Sequence, residues 1–384
     1  MLLIKNGHIK TMAGAEIENG CLLLGDDGKI AAVGADIACP AGAQVIDAQG
    51  RLVAPGFVEP HSHIGLREAA CLWTGIDHNE KTDPLSPQMR GIDAINPMDE
   101  YFADAVRGGV TTVCAGPGSA NVIGGTFVAI KTVGRRVDDM VVKNPVAMKC
   151  AFGENPKNAY GQSGKKAPLT RMGIAALMRE MLFKAKDYQQ AKDSGKEPKF
   201  DMKLEAMLPV MRGEIPMKVH AHRADDILTA IRIGKEFDLK LTLDHCTSGG
   251  EIADILGMEG YPVALGPSFG GKSKPELLHK SYATAAKLYE NGVKVSILTD
   301  CPVLPQDSLA MCAGLAVSAG LPMEAGWKAI TVNAADHIGC GDRVGSLEVG
   351  KDADVVLWDR DPLTTLGAKA YMTIVNGKIA YSAE

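Results

Sequence analysis

Two histidines stand two residues apart at the end of an apolar run, His61 and His63 in GFVEPHSHIG. In an extended strand residues i and i+2 face the same side, so both imidazoles can converge on one point. The placement recurs downstream: His220 lies at the end of MKVHAH, His245 at the end of LTLDHC and Asp300 at the end of VSILTD. One such histidine would read as a satisfied core residue; five potential ligands at the ends of four apolar runs read as a metal site. Imidazole with carboxylate suits Zn²⁺, and also Mn²⁺, Fe²⁺ or Co²⁺. A cation so held lowers the pKa of water from about 15.7 to about 7, which supplies a hydroxide nucleophile at neutral pH.

Lys149 is the second signal. In PVAMKCAFGENPK, Ala147, Lys149 and Ala151 share one face of a strand, and Val146, Met148, Cys150 and Phe152 share the other. An unpaired ammonium on a crowded interior face is costly. Two readings stay open: a lysine carboxylated by CO₂, whose two oxygens bridge a pair of cations, or an ammonium paired with Glu154 or Asp300. Glu154 is the alternative bridging ligand from this strand. His222 falls on the same side as His220 and is a third ligand, a substrate contact or an orienting group, with the substrate contact favoured. Arg223 pairs either bidentately with a substrate carboxylate or with Asp225 or Asp226. Tyr160 is expected to reach the site from the loop after the fourth strand of the middle region. The small-residue segment AGPGSANVIGG (115–125) would let substrate approach backbone amides, but it lacks the spacing and lysine of a phosphate loop. His8, His78, His279 and His337 lie away from strand ends and are read as structural or surface residues.

The elements that must position these residues fall into two textures. Residues 1–50 read as short strands with turn signals at Asn6-Gly7 and Asp27-Gly28, and the last 40 residues return to that texture with a second Asn-Gly in IVNGKIAY. The expectation is a small β-sandwich domain from both termini (1–54 plus 345–384) around a barrel at 55–344. The middle alternates apolar runs (RLVAPGFVEPHSH, GVTTVCAG, TFVAIKT, PVAMKCAF, MKVHAH, KLTLDHC, PVALG, KVSILTD) with helical patterns, clearest at 172–193 and 224–237. Such alternation predicts parallel strands with crossover helices, an α/β fold of the (β/α)8 TIM-like barrel type. A doubly wound open sheet is the runner-up, without the glycine-rich loop it would need. The polar segment 64–100 follows the first barrel strand and is a candidate lid.

The HSH pair, the strand lysine, one histidine on each of the next two strands and the late aspartate together resemble the amidohydrolase superfamily. VAPGFVEPHSHIG resembles the family's entry into its first barrel strand, and AITVNAADHIGCGDRVGSLEVGKDADVVLWDRDPL its exit to the sandwich. KCA after Lys149, and HAH followed by DDILTAI, look most like the branch of imidazolonepropionase, prolidase-like dipeptidases and isoaspartyl dipeptidase. The resemblance implies that His61, His63 and Asp300 hold the more buried metal, that Lys149 bridges, and that His220 and His245 hold the second. It also implies that Asp300 takes the proton from the attacking water and passes it to the leaving nitrogen. The expected reaction is hydrolysis of an amide-type C–N bond in a cyclic amide or a small peptide-like or N-acyl substrate. The rivals are a mononuclear imidazolonepropionase- or deaminase-like hydrolase of a heterocycle, and a metal-stabilised small-molecule binding protein without turnover.

Composition bounds the partners. The 384 residues are 46% hydrophobic and 23% charged, with a formal net charge of −5, which offers no footprint for nucleic acid or an anionic membrane. Nine cysteines without a CxxC pair read as reduced thiols, and no stretch approaches the ~20 apolar residues of a membrane span. A cytoplasmic enzyme of small molecules is expected, with self-association as the expectation for its oligomeric state.

Overall fold

The computed structural model describes every residue except Cys71, Lys165 and Glu384. Among the described residues, sixteen strands form two sheets. In chain order the N-terminal strands are β1 (Leu2–Ile9), β2 (Ile17–Leu24), β3 (Ile30–Gly34), β4 (Gln44–Asp47) and β5 (Leu52–Pro55). The middle strands are β6 (Phe57–Ser62), β7 (Val110–Ala115), β8 (Ile123–Lys131), β9 (Val141–Ala151), β10 (Met217–Ala221), β11 (Leu241–His245), β12 (Val263–Leu265) and β13 (Val295–Ile297). The last are β14 (Val355–Trp358), β15 (Ala370–Val375) and β16 (Lys378–Ser382).

The termini do build one sheet together, in the order β16-β15-β14-β5-β1-β2-β3 with β4 also paired to β1. Asn376-Gly377 makes the expected two-residue hairpin, with φ of 49° and 73°. Asn6-Gly7 does not turn the chain. β1 runs straight through it as a register shift, with Asn6 at φ 56° and its amide bonded to Asp47. A Cβ on Gly7 would lie 2.6 Å from Val53 Cγ2, so glycine here permits the close approach of β5 rather than a reversal.

β6 to β13 line up in sequence order as a nearly closed eight-stranded barrel. One strand departs from the parallel expectation: β8 is antiparallel to both β7 and β9. The link of residues 116–122 is shorter than the dozen or so residues that a parallel crossover needs, so TFVAIKT can return only as a hairpin. The expected helices are present at Arg171–Asp193, capped by Thr170 Oγ1 on the Gly173 amide, and at Ala224–Glu236, with Asp225 and Asp226 in its first turn. No helix of the described residues is long and apolar enough to cross a membrane. The free cysteines 114, 150, 246, 301, 312 and 340 are buried, whereas Cys39 is exposed; Cys71 falls outside the described residues.

The barrel seam between β13 and β6 is closed largely by one buried carboxylate. Glu59 Oε2 accepts from the Thr299 amide (3.0 Å), the Thr299 hydroxyl (2.6 Å) and Gln306 Nε2 (3.0 Å), while Oε1 accepts from the His61 amide (3.1 Å). The His63 amide adds a 2.8 Å bond to the Cys301 carbonyl. These bonds fix the chain at Asp300 against the chain at His61 and His63. Where barrel and terminal sheet meet, Phe57 packs between Trp327 and Trp358, with ring centroids at 5.7 and 5.2 Å. All three rings are buried, so Phe57→Ala should lower unfolding stability by about 3–5 kcal/mol, measured as a shift of the urea midpoint at unchanged m-value.

Candidate metal centre

The strand ends deliver their side chains to one place at the barrel mouth. His61 sits on β6 with His63 just past it, Lys149 on β9, His220 on β10, His245 on β11, and Asp300 shortly after β13. His61, His63, Lys149, His220, His222 and His245 are all buried. Strict alternation would send Asp244 and His245 to opposite faces of β11, yet both reach the interior. His245 adopts φ 73°, a left-handed conformation that swings its ring inward, and Asp300 likewise sits at φ 57°. Non-glycine residues adopt this region at a cost of order 1–3 kcal/mol, which the surrounding packing must hold.

Each histidine is anchored through the same ring atom. Nδ1 of His61 is 2.8 Å from Asp244 Oδ2, Nδ1 of His63 is 2.8 Å from the Gly116 carbonyl, and Nδ1 of His245 is 2.7 Å from the Gly266 carbonyl. Those oxygens can only accept, so in these three rings Nδ1 carries the hydrogen and a neutral ring keeps its lone pair on Nε2. Nδ1 of His220 meets Ser119 Oγ and Nδ1 of His222 meets Thr247 Oγ1, both at 2.8 Å. Anchoring through one nitrogen is how proteins aim metal-ligating imidazoles. Two groups of ligand atoms result, His61–His245–Asp300 and His220–His222–His245, each with its atoms within 4.8 Å of one another.

The electrostatics favour a cation there. Burial holds His61, His220 and His222 well below the ordinary imidazole pKa and pushes His245 down to about 4, so these rings are in the neutral, ligating form. Asp300 is held below its ordinary value even though burial raises it, with its contact to His63 the largest opposing influence. Oδ1 of Asp300 lies 3.2 Å from His63 Nε2 and 3.6 Å from His61 Nε2. Nε2 of His245 is buried without a hydrogen-bond partner. Lone-pair atoms this close repel unless a proton or a cation lies between them, and the nitrogen-rich donor set with one carboxylate fits Zn²⁺ and its neighbours. Lys149 Nζ is 3.3 Å from His61 Nε2, and burial pushes its pKa down to about 8.

The residues behind these ligands were not found in the sequence. Asp244 accepts from His61 and also meets Lys218 (3.0 Å) and His337 (3.2 Å), all of them buried. Burial would raise the Asp244 pKa, but Lys218, His61 and His337 hold it well below its ordinary value. The signal was present: Glu59, Lys218 and Asp244 are charged residues inside apolar strands, and Glu59 and Lys218 share faces with His61 and His220 by period two. The glycine-rich segment 115–125 lines the cavity with Gly118 and Ser119 and has a second task, since its Gly116 carbonyl and Ser119 hydroxyl aim His63 and His220.

A cavity of about 400 Å³ opens above the centre, lined by His63, His78, His220, His222 and Asp300 together with Arg67, Asn155, Lys274 and Lys280. His78, read as a structural or surface residue, packs at a tilt against His63, with ring centroids at 5.4 Å. Arg223 is not brought in: it is half-exposed and forks onto Asp225 at 2.9 and 3.0 Å, as the next helix begins. Tyr160 is not brought in either; its hydroxyl donates to the Glu80 and Asp83 carbonyls and so ties down segment 64–100. Glu154 is outside the lining, and on its loop Asn155 instead reaches His220 Nε2 at 3.2 Å.

Comparisons with known proteins agree with this geometry. A family profile described as "Amidohydrolase family" matches residues 52–380. The amidohydrolase tasK of Hapsidospora irregularis is 30% identical over 366 residues, covering 88% of this chain but only 37% of its own length. The chain thus spans little more than a third of that relative. An imidazolonepropionase of Geobacillus sp. (strain WCH70) is 27% identical over 386 residues, covering 89% of this chain and 84% of its own. A crystal structure of an amidohydrolase from Thermotoga maritima MSB8 superposes with a TM-score of 0.95 at 38% identity, covering 100% of both chains.

Asp244 offers a direct test of the support beneath the ligands. Asp244→Asn keeps the shape but leaves Lys218 buried without its anion, which should cost about 3–5 kcal/mol in denaturant unfolding. Chelator competition should show Zn²⁺ affinity weakened by about 10–100-fold, because His61 loses the carboxylate that orients it and competes with Lys218 and His337 for the one remaining oxygen.

Proposed function

Because the chain belongs to the amidohydrolase family, hydrolases of C–N bonds, we propose that its barrel mouth cleaves the amide-type bond of a small, carboxylate-bearing cyclic amide or N-acyl substrate. In this reading His61, His63 and Asp300 hold a divalent cation, Lys149 is carboxylated and bridges, and His220 and His245 serve a second ion. The observation that carries it is the common orientation of the candidate ligands: His61, His63, His220 and His245 are each tethered at Nδ1, and ligand atoms of His61 and His245 gather with Asp300. Zn²⁺, or Mn²⁺, Fe²⁺ or Co²⁺, would acidify a water and polarise the substrate carbonyl there.

The chain's own residues supply the rest. Asp300, anionic and next to His63, accepts the proton of the attacking water and returns it to the leaving nitrogen. Only a neutral amine adds CO₂, and a pKa of about 8 leaves roughly a tenth of Lys149 neutral at pH 7, far more than an ordinary lysine. The cavity is the size of a small-molecule site. Its wall is cationic: Arg67 has no anionic partner among the described residues, and Lys280 Nζ is held only by the Phe269 (2.8 Å) and Gly271 (3.4 Å) carbonyls. Lys274 is shared between Asn155 and Glu276 at 3.0 and 3.2 Å. Such a wall suits a substrate carboxylate, with Phe269, Leu277 and Leu304 covering the apolar part.

Two measurements test the reading. With Zn²⁺-loaded protein and a panel of hydantoins, lactams, imidazolones, N-acyl amino acids and dipeptides, Asp300→Asn should lower turnover by about 10²–10⁴-fold while elemental analysis finds most of the metal retained. Near-normal rates in that variant, or a loaded wild type inert toward the whole panel, would overturn it. Lys280→Ala should raise KM for carboxylate-bearing members, lowering kcat/KM by about 10–100-fold, and leave their uncharged analogues unaffected.

A further inference from the structure

We propose that His222 is a metal ligand, and that with His220 and His245 it forms a three-imidazole cation site beside His61, His63 and Asp300. The inference deepens the reading above and rests on it, but it gives His222 a different task from the substrate contact that the sequence suggests. His220 and His222 leave β10 on the same side, two residues apart, with ring centroids at 4.7 Å. The ring of His245 meets both, at 4.3 Å from His220 and 4.9 Å from His222.

His222 is held as a ligand would be. Its ring is buried, Thr247 Oγ1 takes Nδ1, and its carbonyl accepts from the Ser248 amide at 2.8 Å. The segment just past β11 therefore pins both backbone and ring, leaving Nε2 turned toward its neighbours. The second observation is independent: Nε2 of His245, on a residue 1% exposed, has no hydrogen-bond partner. The Nδ1 atoms of the three imidazoles are committed and their ligand atoms lie within 4.8 Å of one another; apart from the 3.2 Å contact of His220 Nε2 with the Asn155 side chain, a shared cation is what this arrangement suits.

The donor set also specifies the ion. Three neutral nitrogens suit Zn²⁺ or Co²⁺ and not Mg²⁺ or Ca²⁺, which prefer oxygen. With an oxygen of carboxylated Lys149, the three imidazoles would make a four-ligand shell, which a catalytic zinc site can expand by a fifth position for water. Because the imidazoles bring no negative charge and Lys274 stands nearby, the ion depends for charge balance on the anions between the two groups, Asp300 and a carboxylated Lys149.

The test counts ions on the full chain, loaded with Zn²⁺ in bicarbonate buffer, dialysed and analysed for metal. The wild type should hold two ions per chain. His222→Ala and His222→Gln, with circular dichroism unchanged, should hold one. With Co²⁺ in place of Zn²⁺, the variants should lose the visible absorption of the second site alone. Thr247→Val, which removes only the Nδ1 anchor, should keep both ions but weaken the second by about 10–100-fold in chelator competition. Variants at His222 that retain both ions at wild-type affinity overturn the inference. A wild type with a single ion overturns it too, yet leaves a one-cation form of the proposed hydrolysis standing; a wild type with none overturns both.

Discussion

An imidazole can donate through one nitrogen and ligate through the other, and this barrel spends its buried acceptors on fixing which is which. Asp244, Gly116 and Gly266 accept from Nδ1 of His61, His63 and His245, and the hydroxyls of Ser119 and Thr247 meet the same atom of His220 and His222. Burial then keeps the rings of His61, His220, His222 and His245 neutral, since charging them in a dry interior is unfavourable. Orientation and protonation state are set by one arrangement. The two left-handed residues, His245 and Asp300, belong to it as well: each is a locally costly conformation that brings a donor atom to the shared space.

The scaffold answers to that requirement. Glu59 is placed on the same face of β6 as His61, and its bonds to Thr299 and Gln306 lock the ends of the barrel so that Asp300 meets His61 and His63. The antiparallel β8 has a comparable effect on the other wall. Because β7 turns back at once, the tight link at 116–122 stays at the mouth, where Gly116 and Ser119 support His63 and His220. A crossover helix at this point would leave neither within reach.

How much of this the sequence discloses depends on whether a residue acts through spacing or through partners. The HSH pair, His220, His245 and Asp300 are legible because position at the end of an apolar strand is a local property. So is Asn376-Gly377, where two short strands leave no alternative to a turn. Asn6-Gly7 has the same dipeptide and a different outcome, because β4 and β5 flank β1 and convert the positive φ into a bulge; those neighbours are remote in sequence. Arg223 and Tyr160 lie at the right distance along the chain, yet each finds a partner nearer than the site: Asp225 for one, the carbonyls of segment 64–100 for the other. Asp244 was overlooked for the opposite reason. Its place beside His245 looks like the wrong face of the strand until the left-handed turn at His245 is known.

Charge balance joins the remaining pieces. Lys149 is influenced by Asp244 and Asp300, which favour its ammonium, and by Lys218, which opposes it. With Lys149 as an ammonium, these two anions and two cations cancel, and a divalent ion would enter a pocket with no net attraction for it. Loss of the proton leaves one negative charge, and addition of CO₂ leaves two, which offsets half the charge of the two divalent ions in the proposed reading. On the proposed reading, carboxylation of Lys149 and cation binding are therefore linked, each stabilising the other by the same free energy. The deep burial that makes an ammonium costly at this position is then what prepares the lysine to become an anion, and Lys218, already neutralised by Asp244, stays outside the exchange.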